Sequence, residues 1–166
     1  MSRVYPRYAI AAVAAVLIKN NRILLVKRGH PPGAGKWSIP GGALEPGEKL
    51  VDAAKRELKE ETGLEAEAIG ILWVLNNIVY DEKRNPLYHY LIVDVLFNPD
   101  TIKGELRPGG DAVDVKWFEI NELSKVPGVS RTTLQLIRRI TRYGYIYLPI
   151  EEVDHISVSI TRNQCE

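Results

Sequence analysis

Glu57, Glu60 and Glu61 fall at i, i+3 and i+4 within Arg56-Glu57-Leu58-Lys59-Glu60-Glu61-Thr62-Gly63-Leu64. At about 100° per residue, a helix places all three on one face. Like charges so placed repel by roughly a few tenths of a kcal/mol per pair at a surface. The repulsion grows on partial burial, where the protons titrate as a coupled set. A divalent cation removes that cost. Carboxylate oxygens without His or Cys beside them suit Mg²⁺ or Mn²⁺ rather than Zn²⁺. Mg²⁺ keeps several waters and favours substrate phosphates as further ligands. The residue types therefore point to phosphate chemistry. The plainer alternative is a solvated acidic face balanced by Lys55, Arg56 and Lys59.

The same helix has to dock. Val51, Ala54 and Leu58 form an apolar face, and Asp52, Lys55 and Lys59 take the solvent side. Ala53 lies one turn before the acids on their face, small enough to leave space above them. Gly63 is a fitting C-terminal stop.

The surrounding residues favour the metal. Gly42 is followed after five residues by Glu48, and after seven more by Arg56-Glu57-Leu58, Glu60-Glu61 and Gly63-Leu64. Every fixed position of the Nudix box is matched, and Trp37-Ser38-Ile39-Pro40-Gly41-Gly42 resembles the family's approach to it. The resemblance implies an α+β fold, an α/β/α sandwich around a mixed β-sheet. It implies hydrolysis of a nucleoside diphosphate linked to another group. By family analogy Glu57, Glu60 and Glu61 coordinate Mg²⁺, with Mn²⁺ an alternative. Gly42 brings its backbone carbonyl to the metal, and Arg56 orients Glu60 or Glu57. A water activated by the metal attacks phosphorus. Family members differ in the base, either a box glutamate or an acid in a downstream loop. Here that acid is Asp111 or Asp114, with Glu105 a weaker choice. Asp111 is preferred because it follows Gly109-Gly110 in a loop.

The stretches Val26 to Trp37, His89 to Asp94 and Asp111 to Trp117 resemble the ADP-ribose pyrophosphatase branch. The expected products are then AMP and ribose 5-phosphate. No proline lies between Trp73 and Tyr80, where some ADP-ribose enzymes carry one. The alternatives are a MutT-like triphosphatase acting on oxidised dGTP and a Nudix domain that only senses a nucleotide. The intact box glutamates speak against the last. Arg28 is a candidate phosphate contact, since a guanidinium grips phosphate through two parallel hydrogen bonds. Trp37 and Tyr88 are candidates to stack on a purine. His30, His89 and His155 receive no role, and Trp73 is expected in the core.

These residues need a scaffold. Residues 8–18 and 22–28 read as two strands joined by an Asn20-Asn21 turn. That hairpin is a better reading of Arg3, Arg7 and the apolar run Ala9 to Ile18 than a signal peptide. Residues 29–47 form a Pro- and Gly-rich loop broken by Lys36 to Ile39. Glu48 to Thr62 is the helix. Residues 67–80, 87–97 and 113–119 read as strands, and Ile120 to Ser124 as a helical turn. Ser130 caps a second helix over Arg131 to Arg142, with Leu134, Ile137 and Ile140 as its apolar face. Strands and helices mix without regular βαβ alternation, which also favours α+β. One domain spans 1–166, with a core of about 8–142. The tail 143–166 is unassigned, although His155 to Ile160 alternates like a strand.

Composition narrows the partners. The chain of 166 residues carries 22 Lys+Arg against 21 Asp+Glu, a net charge of +1. That balance argues against a dedicated nucleic-acid binder. No apolar run reaches the ~20 residues that span a bilayer. Cys165 is the one cysteine, so no intramolecular disulfide forms and a cytoplasmic setting is expected. The expected partner is a small nucleotide, with neither nucleic acid nor membrane, and the expected assembly is a homodimer.

Overall fold

The structure is a computed structural model and describes residues 3–153. The expected strand of residues 155–160 and Cys165 lie outside the described residues.

Among the described residues nine strands and two α-helices follow one another: β1 Ile10–Lys19, β2 Arg22–Arg28, β3 Trp37–Ser38, β4 Gly41–Ala43, α1 Leu50–Thr62, β5 Leu64–Glu65, β6 Ala68–Tyr80, β7 Pro86–Phe97, β8 Lys103–Gly104, β9 Ala112–Glu119 and α2 Arg131–Tyr143. A 3₁₀ turn, Ile120–Lys125, precedes α2. Seven strands form a mixed sheet in the order β3-β2-β1-β7-β6, with β4 also on β1 and β9 also on β2. β5 and β8 make a separate two-stranded pair.

β1 is the spine. It runs parallel to β7 from Ile10 to Leu17 and antiparallel to β4 from Ala12 to Ala14. Both its faces are covered, which explains its nearly continuous apolar run. Val13, Ala15 and Leu17 join Ala53, Ala54 and Leu58 of α1 in one core cluster. Ala14, Val16 and Ile18 join Leu136, Ile137 and Ile140 of α2 in the other. A helix on each face of a mixed sheet is the expected α+β sandwich.

The β1–β2 turn follows from its asparagines. Asn20 and Asn21 both take positive φ, 49° and 61°. A two-residue hairpin loop needs that left-handed conformation, and Asn tolerates it better than most residues. At the end of α1, Gly63 has φ 72° and donates its N–H to Lys59 O. Ser130 caps α2, its Oγ accepting from the Thr133 N–H.

Four expectations shift. Ala53 is fully buried in the core, rather than leaving space beside the acids, and Val51 is only half-buried. On α2 the chain buries Leu136 in place of Leu134, because the inward face centres on Leu136, Ile137 and Ile140. Trp73 is half-buried at the margin of the second cluster. After Gly144 the chain returns to the sheet at one point, where Leu148 and Ile71 exchange backbone hydrogen bonds of 2.8 and 2.9 Å.

The α2 register gives a direct prediction. Leu136→Ala should cost about 3 kcal/mol of unfolding free energy, and Leu134→Ala less than about 1. Urea denaturation of both variants checks this, and equal losses would contradict the register.

Candidate active site

α1 presents its acids toward the short strand β4. The Glu57 carboxylate lies against Gly42, so closely that a Cβ at residue 42 would collide with it. Glu61 reaches the neighbouring residue, where Gly41 N–H donates to Glu61 Oε2 at 2.9 Å. Two acids therefore converge on the Gly41-Gly42 backbone. Glu60 does not join them. Its side chain is 55% exposed, and its nearest charge is Arg56 at 3.4 Å. Among the described residues no three acids stand close enough to grip an ion together as they lie. A helix face spans more than 100°, so i+3 and i+4 share a face without sharing a point.

Arg56 organises the group. Its Nε donates to Glu48 Oε1 at 2.8 Å and its Nη2 to Glu48 Oε2 at 3.0 Å, a parallel two-pronged pair. Its Nη1 donates to Glu57 Oε1 at 2.6 Å, and Nη2 also reaches Ala43 O at 3.3 Å. The two-pronged grip on Glu48 was missed from the sequence. The sign was available, since Glu48 is a fixed position of the box, but its partner lies eight residues on, in the second turn of α1. The hydrogen bond from Arg56 holds the Glu48 carboxyl below its ordinary range.

Glu61 is the most perturbed acid of the cluster. Burial, which penalises its charged form, pushes its carboxyl up to about 7. The Gly41 N–H pulls down, while the Glu57 and Asp111 charges push up. Burial also raises Glu57, against the pull of Arg56.

The loop before β9 lies over the end of α1. Arg107 N–H donates to Thr62 O at 2.9 Å, and Gly109 N–H to Glu61 O at 3.3 Å. This brings Asp111 near enough to act electrostatically on Glu61. Asp111 is exposed, with His30 Nδ1 3.4 Å from its Oδ1. Asp114 is otherwise engaged, held by Lys116 at 2.8 Å, which lowers its pKa. Glu105 is exposed.

A cavity of about 490 Å³ opens beside Gly41 and Gly42 and is lined by Arg28 and Tyr88. Arg28 Nε donates to Pro32 O at 3.0 Å, which fixes the guanidinium at the cavity wall. Trp37 is not among the lining residues. It is 9% exposed and packs edge-on against Phe118, with ring centroids 4.8 Å apart.

The donor set suits a hard divalent cation. Glu57, Glu61 and the Gly42 carbonyl offer only oxygen, and the absent Cβ at Gly42 leaves the space that approach needs.

The NUDIX domain model matches residues 8–140. The chain belongs to the Nudix family. It is a Nudix hydrolase, similar to the ADP-ribose pyrophosphatase of Methanocaldococcus jannaschii, 38% identical over 124 residues. That match covers 75% of this chain and 69% of the relative. A MutT Nudix hydrolase from Burkholderia pseudomallei superposes with a TM-score of 0.70 at 26% identity, covering 81% of this chain and 99% of that one. A bifunctional NMN adenylyltransferase/ADP ribose pyrophosphatase from Francisella tularensis, solved with AMP and a manganese ion, superposes at 0.62 and 27% identity. There the match covers 81% of this chain and 42% of the other. Nudix hydrolases use divalent metal ions and act on small nucleotides. No helix among the described residues is long and apolar enough to cross a membrane.

The raised Glu61 carboxyl makes stability depend on pH. Between its ordinary 4.5 and about 7, folded Glu61 keeps a proton that the unfolded chain has released. Stability then falls as pH rises through that window, by up to roughly 3 kcal/mol from this group. Asp94, raised from 3.8 to about 7, slopes the same way. A cation on ionised Glu61 should remove its share. Melting in chelator should fall between about pH 5 and pH 8, and excess Mg²⁺ should flatten part of the slope. An identical slope with and without Mg²⁺ would contradict the site.

Proposed function

We propose that this Nudix hydrolase cleaves ADP-ribose to AMP and ribose 5-phosphate with Mg²⁺, Mn²⁺ being able to substitute. One observation carries the reading. The cavity beside the Gly41-Gly42 cradle is lined by four cationic side chains, Arg3, Arg28, Lys36 and Arg131, against a single acid, Asp94. A chain of net charge +1 has gathered four cations around one cavity, as an anionic ligand such as a diphosphate needs. The similarity to an ADP-ribose pyrophosphatase supports the choice of substrate.

Glu57, Glu61 and the Gly42 carbonyl would hold the metal. The chemistry a divalent cation supplies when bound is neutralisation of the diphosphate oxygens and acidification of a water. Arg56 keeps the Glu57 carboxylate turned to Gly42. Glu60 lies on the exposed margin of the site, where substrate phosphates would approach. Arg28 binds a phosphate oxygen from the cavity wall. Tyr88 lies against the nucleoside. Asp111 takes the proton released as water attacks phosphorus: it is exposed and close to Glu61, whereas Asp114 is bound to Lys116. The MutT-like alternative uses the same acids and would instead release pyrophosphate from an oxidised dGTP.

Product analysis with ADP-ribose tests the reading. Release of AMP and ribose 5-phosphate should require Mg²⁺. Glu61→Gln should lower turnover by a factor of ~10² or more with the fold intact. Asp111→Asn should lower it by ~10² as well, within the usual range for removing a general base. Pyrophosphate release from oxidised dGTP without ADP-ribose turnover would favour the alternative. Wild-type turnover by Asp111→Asn would dismiss Asp111 as the base.

A further inference from the structure

Three buried side-chain atoms lack a hydrogen-bond partner among the described residues: Ser38 Oγ, Asp94 Oδ2 and Arg139 Nη1. Ser38 and Asp94 both line the cavity beside the Gly41-Gly42 cradle. Native interiors seldom leave polar atoms unpaired, and a buried carboxyl without partners is strongly unfavourable. Asp94 is 2% exposed. The fold does not need an acid there, since its β7 neighbours Ile92 and Leu96 belong with the apolar cluster under α2. Arg139 acts on Asp94 electrostatically, but neither an ion pair nor a hydrogen bond joins them among the described residues. Burial pushes the Asp94 carboxyl up to about 7, and Arg139 pulls it back.

The register places Asp94 relative to the acids of α1. Ala14 of β1 pairs with Gly41 on one side and with Asp94 on the other. Asp94 therefore lies two strands from Gly41, roughly 10 Å at the usual strand spacing. Arg28 lines the cavity close enough to the Gly41 end to act on Glu61, and its guanidinium can take a phosphate there. A nucleoside 5′-phosphate with its phosphate there can extend its base along the sheet to Asp94. The cavity wall near β7 offers Tyr88, Tyr90, Ile92 and Leu75, apolar surface of the kind a purine ring covers.

We propose that Asp94 is a specificity-determining residue that reads the base, its carboxyl accepting a hydrogen bond from the exocyclic amino group of adenine. This rests on the reading that the cavity takes an adenine nucleotide. When protonated, the same carboxyl also donates to the ring nitrogen beside that amino group. Asn at this position could make both contacts, and Leu neither.

The test is the affinity of the protein for AMP and for purine riboside 5′-monophosphate, which lacks only the amino group. Calorimetry on wild type, Asp94→Asn and Asp94→Leu reads it without turnover. Wild type should bind AMP about 10- to 100-fold tighter than the analogue, the range of one good buried hydrogen bond. Asp94→Asn should keep that preference. Asp94→Leu should bind both nucleotides equally, at the weaker affinity. No preference in wild type, an undiminished preference in Asp94→Leu, or no AMP binding would each overturn the proposal. The wild-type comparison stands even where Asp94→Leu fails to fold. ADP-ribose turnover is scored separately. Turnover without an AMP preference would sink the role of Asp94 alone, and an AMP preference without ADP-ribose turnover would sink the choice of substrate alone.

Discussion

The site depends on one guanidinium. Four acids, Glu48, Glu57, Glu60 and Glu61, crowd the start and one face of α1 and its approach loop. Arg56 contacts three of them, Glu48, Glu57 and Glu60. It grips Glu48 with two prongs, holds Glu57 at 2.6 Å and reaches the Ala43 carbonyl. Lys49, at the N-cap of α1, makes no side-chain cap hydrogen bond. The Arg56–Glu48 pair instead ties the approach loop to the second turn of the helix. That tie fixes where β4 lies relative to α1, and so where Gly42 meets Glu57 and Gly41 meets Glu61. A lysine offers a point charge rather than a planar fork and could not hold these partners together.

The sheet supplies the second constraint. β1 carries alternate residues into two cores, so α1 and α2 are held on opposite faces. Its pairing with β4 sets the cradle, and its pairing with β7 brings Asp94 level with Gly41. The cavity therefore runs along the sheet from one end of the proposed ligand to the other. Four cations, an apolar wall and one buried acid line it.

Much of this was legible in the sequence, for physical reasons. Asn20-Asn21 announces a hairpin because few residues accept positive φ. Gly63 and Ser130 mark helix ends because they satisfy backbone groups locally. The box spacing names the acids because a helix converts spacing into a shared face. What was not legible depends on tertiary placement. Spacing could not show that Glu57 and Glu61 converge on β4 while Glu60 stays exposed. It could not separate Asp111 from Asp114, which differ in the contacts their side chains find. Trp37 beside the box invites a stacking role, yet Phe118 claims it for the core. Leu134 and Leu136 are equally apolar, and only the docking angle of α2 decides between them. Asp94, inside an apolar strand, gives no sign in sequence that it faces a cavity.

The proposed divalent-cation site consists of Glu57, Glu61 and the Gly42 carbonyl, with Arg56 as its organiser. Anomalous diffraction from a crystal soaked in Mn²⁺ tests it most directly. A manganese peak is expected between the Glu57 and Glu61 carboxylates and Gly42, lost in Arg56→Lys crystals at the same Mn²⁺ concentration. A peak elsewhere, or none at this site in the wild-type protein, would contradict it.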